Sequence, residues 1–274
     1  MKLKAIFIIF NVLVVLSFLF VFFMPAFFLG WDYTSVFWSS NWYLAGLFVV
    51  VLVVLNLYFG SNWRLFSALE DEDWDAVISV METRIYKKNR LTQGNIRLAV
   101  NAYVVTSRSE KVRELERYLR EHRPAVLQRN ALLFGIPHLL SNDGAEMADY
   151  YAEFVDVRSG EENDWIRWSY AFSLMLQQKL DEAQEVLNDL VSRLKPGVLL
   201  ALSAYLLDAY SRSADGSGEA VAEVKRSITG AMSHREWNKK VEHARGELHV
   251  LVLSKLLRDV EQWLYDDGRA DGAS

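Results

Sequence analysis

The chain of 274 residues contains no cysteine, which excludes disulfides and thiolate metal sites and leaves the compartment unread. It also lacks the short motifs of the common catalytic classes. There is no GxxxxGK[ST] phosphate loop and no GxGxxG after a strand, and no GxSxG nucleophile turn. The histidines His122, His138, His234, His243 and His249 form no i, i+4 pair around a glutamate of the kind zinc hydrolases use. Asp71, Glu72 and Asp73 resemble acid–base residues, but they stand at a helix start, where carboxylates cap exposed amides. Basic charge is scarce too. From residue 61 onward 28 Lys and Arg face 34 Asp and Glu, a net charge of −6, and an acidic body repels phosphate backbones, so no nucleic acid is expected. The densest basic run, RIYKKNR at 84–90, reads as a solvated inter-helix turn, with anionic headgroups as the alternative. These absences predict a protein that is not an enzyme and holds no metal or cofactor.

Two stretches lack charge altogether. Residues 5–29 (AIFIIFNVLVVLSFLFVFFMPAFFL) and 43–59 (YLAGLFVVVLVVLNLYF) contain no Asp, Glu, Lys or Arg. A helix needs roughly 20 apolar residues to cross a bilayer, and backbone in lipid must be helical. The first stretch suffices, and the second does so with Trp42 and Gly60. The first also exceeds the h-region of a signal peptide, so a retained two-span anchor over residues 1–60 is expected. Residues 30–41 between the spans read as a short loop, with Trp31, Tyr33, Trp38 and Trp42 as membrane-interface aromatics. Lys2, Lys4 and Arg64 flank the spans, and no Lys or Arg lies in the loop, which places both chain ends in the cytoplasm. Asn11 and Asn56, polar groups within the spans, sit near their ends and are expected to reach the interface.

From residue 61 the sequence turns helical and periodic. The segments 73–85, 110–119, 145–155 and 181–191 each lead with acidic residues into apolar positions at three- and four-residue spacing. Aligned on Val77, Val112, Met147 and Ala183 they recur after 35, 35 and 36 residues, and a fifth copy at 218–228 aligns on Ala220 after 37 more. A second apolar helix precedes each copy: LFSALE, IRLAVNAYVVT, ALLFGIPHLL, WIRWSYAFSLMLQQ and VLLALSAYLLDAY. Helix pairs at a fixed period predict an all-α solenoid over 61–232, because each pair buries its apolar face only against its neighbours. In the fifth copy SRSADGSG reads as a flexible loop. Residues 233–267 read as one long helix capping the last open face or forming a homo-oligomer contact, and residues 268–274 as a disordered tail.

The period, Gly135 and Ala171 as the small residues of first helices, Tyr103, His138 and Leu174 three positions on, Ala183 and Ala220 opening second helices, and Pro124 and Pro196 near repeat ends carry a resemblance to the tetratricopeptide repeat family. Val77, Val100, Val112 and Met147 are bulkier than its pattern, and the Trp of its first helix is missing. The resemblance implies a superhelix whose first helices line a concave groove that holds a partner protein. On those helices Arg97, Asn101, Asn130, Arg167 and Tyr170 are the candidate partner-binding residues. Arg97 and Asn101, four apart, share a face. A two-span hairpin ahead of such repeats also resembles the architecture of HemY-type bacterial inner-membrane proteins. Together these imply a membrane-anchored scaffold or assembly factor in a bacterial inner membrane with its C-terminal domain cytoplasmic. The alternative is a structural subunit of a larger cell-envelope machine with the repeats on the periplasmic side.

Overall fold

A computed structural model describes residues 3–141, 143–157, 160–213 and 219–265. The flexible loop expected at 214–218, within the serine- and glycine-rich insertion, and the tail expected at 268–274 fall outside them. Contacts divide the chain into two compact units, Met1–Ala102 and Tyr103–Ser274.

In the first unit, α1 (Leu3–Leu29) and α2 (Trp31–Glu70) meet at Gly30. Its φ of +85° is a left-handed conformation that glycine adopts without a Cβ clash, so the chain reverses within one residue. The two helices then run antiparallel, with Phe22 stacked on Trp38 at 4.4 Å, Phe18 on Phe48 at 4.2 Å, and Phe7 against Phe59 at 5.1 Å between ring centroids. Both helices are long and apolar enough to cross a membrane.

Two expectations for this region are corrected. Residues 31–41 are not a loop but the first turns of α2, which bends at Asn41 (φ −123°, ψ 22°). The hydroxyls of Thr34, Ser35 and Ser39 donate to the carbonyls of Gly30, Asp32 and Val36, so these turn-forming residues satisfy themselves inside the helix. Asn11 and Asn56 do not turn to the interface singly; the Asn56 amide donates to Asn11 Oδ1 at 2.8 Å across the helix pair. Each amide also donates to the carbonyl four residues back, at Phe7 and Leu52. The apolar run ends at Phe59, and α2 does not end with it. It continues to Glu70, giving a helix about 60 Å long against a hydrocarbon core of about 30 Å.

Beyond the apolar run α2 packs on α3 (Trp74–Glu82), burying Leu65 and Ala68 together with Val77, Ile78 and Met81. Asp73 caps α3 by accepting from the Ala76 amide at 2.9 Å, as the acidic trio predicted. A π-helical turn (Thr83–Lys87) follows, and then α4 (Gln93–Val105).

The second unit holds α5 (Ser109–His122), α6 (Pro124–Arg129), α7 (Ala131–Phe134), α8 (Ile136–Ser141), α9 (Gly144–Ala152), α10 (Glu161–Leu176), α11 (Leu180–Arg193), α12 (Val198–Ser213) and α13 (Glu219–Ala231). It ends with α14 (His234–Ala244), α15 (Leu248–Val252) and α16 (Ser254–Tyr265). All regular structure among the described residues is helical. Neighbours in sequence pack on one another, α9 on α10, α10 on α11, α11 on α12 and α12 on α13, and α16 packs on α12, α13 and α14. The core is aromatic at its centre, with Trp168, Trp237, Tyr103, Tyr151 and Phe134 fully buried.

Two elements differ from the reading of the sequence. ALLFGIPHLL is split at Gly135 into α7 and α8, because Pro137 has no amide to donate to the preceding turn. The single long helix expected over 233–267 is three helices, interrupted at Arg245–Glu247 and at Leu253. Trp237, Val241 and Val260 are buried, while Leu251 is 50% exposed.

One turn recurs. Glu72, Ser107 and Gln178 all have left-handed backbones, with φ of 53°, 58° and 61°. In each case the following amide bonds the carbonyl five residues back: Asp73 to Ala68, Arg108 to Tyr103 and Lys179 to Leu174. This is the Schellman closure of a helix C-terminus, repeated at equivalent points of the sequence period.

Candidate functional site

The densest polar cluster joins α5, α8 and α9. Arg113, Glu116 and Arg120 lie three and four residues apart on α5 and so form one stripe. His138 on α8 is 9% exposed and stands between two carboxylates, its Nδ1 2.9 Å from Glu146 and its Nε2 3.5 Å from Glu116. Its ring stacks on Tyr150 at 4.4 Å between centroids. Arg113 pairs with Glu146 at 3.0 Å, and Arg120 bridges Glu116 at 2.9 Å and Glu153 at 2.6 Å. Burial pushes the Glu116 carboxyl up, but hydrogen bonds and charge from His138 and Arg120 outweigh it and hold it below the ordinary carboxylate range. Burial likewise drives the Tyr150 phenol well above its usual value; it remains a neutral donor to the Ala131 carbonyl at 2.7 Å.

Two guanidinium groups against three carboxylates leave one negative charge beside the imidazole. Each charged group already has a protein partner, so the arrangement is a clamp tying three helices and not an open set of acid–base groups. No His, Asp and Glu grouping among the described residues has metal-binding geometry. The sequence reading took His138 only as a large residue of its repeat. Its partners could have been found from the i, i+3, i+7 stripe on α5, but their meeting with α8 depends on the tertiary fold.

A second network crosses α10 and α11. Arg193 pairs with Asp164 at 2.5 Å and Asp189 at 3.0 Å, and Arg167 reaches Asp189 at 3.1 Å. Burial works against the Arg193 charge, but the two carboxylates outweigh it and raise the guanidinium above its ordinary range. Arg167, a candidate groove residue, is therefore engaged within its own helix pair. Tyr170, one turn on, is half-buried. Asn130, at the joint of α6 and α7, is 8% exposed and its amide donates to the Val126 carbonyl at 2.8 Å. These three belong to the second unit. In the first, Arg97 is exposed and Asn101 half-buried with its Oδ1 enclosed.

What the sequence reading passed over is apolar. Val105, Leu140 and Leu176 are 55%, 49% and 39% exposed and follow one another at 35 and 36 residues. Each is a large side chain left in solvent at the end of a helix. In the hairpin, Trp31 and Trp42 are exposed, while Trp38 turns inward and donates its indole N–H to the Phe22 carbonyl at 3.2 Å. Tyr33 lies on α2, with its side chain outside the described residues.

Fold and site together define an all-α protein with an apolar helical hairpin at its N-terminus and a helical body held by interhelical ion pairs. The chain belongs to a family described as "Uncharacterised Treponema protein", whose model matches residues 111–266, nearly the whole of the second unit. It is 25% identical over 231 residues to an uncharacterized protein of Treponema pallidum (strain Nichols), a match covering 80% of this chain and 74% of the relative. No solved structure matches.

Proposed function

We propose that this protein is a membrane-anchored, tetratricopeptide-like scaffold that binds partner proteins and carries out no chemical step. The observation that carries the reading is the continuity of α2, which runs unbroken from the apolar segment into the packing with α3. An anchor built this way passes directly into the packed pair of α2 and α3 without a loose tether.

The recurrence of the left-handed turn at Glu72, Ser107 and Gln178 supports the repeat reading, as does the close packing of Tyr151 over Gly135. The charged groups of both networks are ion-paired within the protein, which supports a binding body over a reaction site. The five polar candidates and the exposed residues Val105, Leu140 and Leu176 are the two sets of positions to compare.

The test is affinity capture from gently solubilised membranes, using chains that retain wild-type helicity by circular dichroism. A partner held by the intact chain and lost with Arg97→Ala, Asn101→Ala and Arg167→Ala together places binding on the polar helices. Loss with Val105→Ser, Leu140→Ser and Leu176→Ser instead moves it to the apolar positions. Absence of any stoichiometric partner sinks the scaffold reading.

A further inference from the structure

We propose that the first unit carries a docking surface for an anionic lipid leaflet, formed by Arg64, Arg84, Lys87, Lys88 and Arg90 at the end of the apolar part of α2. The proposal rests on reading α1 and α2 as a membrane anchor.

The placement follows from one hydrogen bond. Arg84 donates to Asn62 Oδ1 at 2.8 Å, and Asn62 is three residues past Phe59, about 5 Å along the helix axis. The π turn is thereby tied to α2 at the point where the apolar run gives way to polar residues. Arg64 is exposed on α2 itself, and Lys87, Lys88 and Arg90 are exposed just beyond the tie. Helix α1 begins at this same end, since Phe7 lies against Phe59 and against Trp63 at 6.0 Å between ring centroids.

Charge is sorted by height. Because α3 packs back along the end of α2, the turn between them is the far end of the pair and the π turn its near end. The far turn carries Glu70, Asp71, Glu72 and Asp73, eight or more residues beyond Asn62, or about 12 Å along the axis. That exceeds the Debye length of about 8 Å at physiological salt, so the near end presents its positive charge largely unopposed. Glu82, half-buried one turn before the π turn's end, is the carboxylate closest in sequence.

The basic segment also has a fixed shape. Lys88 closes the π turn on the Thr83 carbonyl at 3.0 Å, the Arg90 amide bonds Arg84 at 2.8 Å, and the Asn95 side chain donates to the Arg90 carbonyl at 2.9 Å. Asn89 supplies the left-handed residue, φ 49°, that the reversal needs. Tyr58 and Tyr86, 57% and 39% exposed at this level, are the amphipathic rings found at headgroup depth. Clustered Lys and Arg directly beside a span bind acidic headgroups, and here continuity with the span favours lipid over a soluble polyanion.

The test uses the full chain in nanodiscs of phosphatidylcholine alone or mixed with phosphatidylglycerol. Acetylation of Lys87 and Lys88 is followed by mass spectrometry. The expected result is labelling slower by about fivefold per lysine in the anionic discs, with the rate restored by high salt. Equal rates in the two discs overturn the headgroup surface and leave the anchor standing. A chain that enters neither disc overturns both.

Discussion

At position 135 the chain has no room for a methyl group. A Cβ built there would sit 2.6 Å from Tyr151 Cζ, and Tyr151 is fully buried with no space to retreat. Gly135→Ala is expected to cost about 1–3 kcal/mol, the usual range for overpacking, and to lower the thermal midpoint in circular dichroism; an unchanged midpoint would show that the ring can move. Glu116 makes a pH-dependent contribution whose sign is fixed by its depressed pKa. The folded carboxyl titrates below its unfolded value of about 4.3, so the stabilisation is fully present above that value and is lost as pH falls through the lower, folded one. The stability gap between the wild type and Glu116→Gln, about 1–2 kcal/mol, should stay constant from neutral pH to about 5 and close on further acidification. Denaturation curves at a series of pH values measure it, and a gap that widens in acid would contradict the assignment. Sequence could show Gly135 as a small residue at a repeat position. It could not show Glu116 and His138 as partners, because they come from different helices and neither has a local signature.

At the scale of elements, helix ends carried more information than helix interiors. Asp143 accepts from the amides of Ala145 and Glu146 at 2.9 and 3.1 Å and starts α9, the helix that supplies Glu146 to the clamp. Asp143→Ala should therefore destabilise by about 1 kcal/mol and speed hydrogen exchange in the first turn of α9 more than in α10; uniform exchange would argue that packing alone holds the helix. The second helix of each sequence pair was legible from its acidic lead and apolar spacing, and α3, α5, α9, α11 and α13 lie where those patterns fall. The stretch 31–41 was not legible. Serine, threonine, asparagine and aspartate favour turns by bonding nearby backbone, yet here their hydroxyls bond carbonyls within the helix and Trp38 finds Phe22 sixteen residues earlier. The break in the C-terminal helix was hidden for the opposite reason. Apolar spacing continues across Arg245–Glu247, and only Gly246 marks the interruption.

For the molecule as a whole, the absence of cysteine turns into a tool, since one introduced thiol reports one place. Ser35 lies in the first turns of α2 and Ser61 just past the apolar run. The basic residues Arg64, Arg84, Lys87, Lys88 and Arg90 all belong with Ser61, so on the proposed anchor reading this end is expected to face the cytoplasm. In intact cells a membrane-impermeant maleimide should label Ser35→Cys, and Ser61→Cys only after permeabilisation. The reverse pattern would put the helical body on the outer side and favour the envelope-machine reading.

If α2 spans a bilayer as proposed, it is a rod that leaves the bilayer without a joint and cannot lean inside it without swinging what it carries. Spans adjust to bilayers of different thickness by changing their inclination, and α2 has its one bend at Asn41, well before the apolar run ends. On the proposed anchor reading, an inclination set by the surrounding lipid would pass from Tyr43 to Glu70 and on to α3, and the angle of the pair would follow the thickness of the membrane.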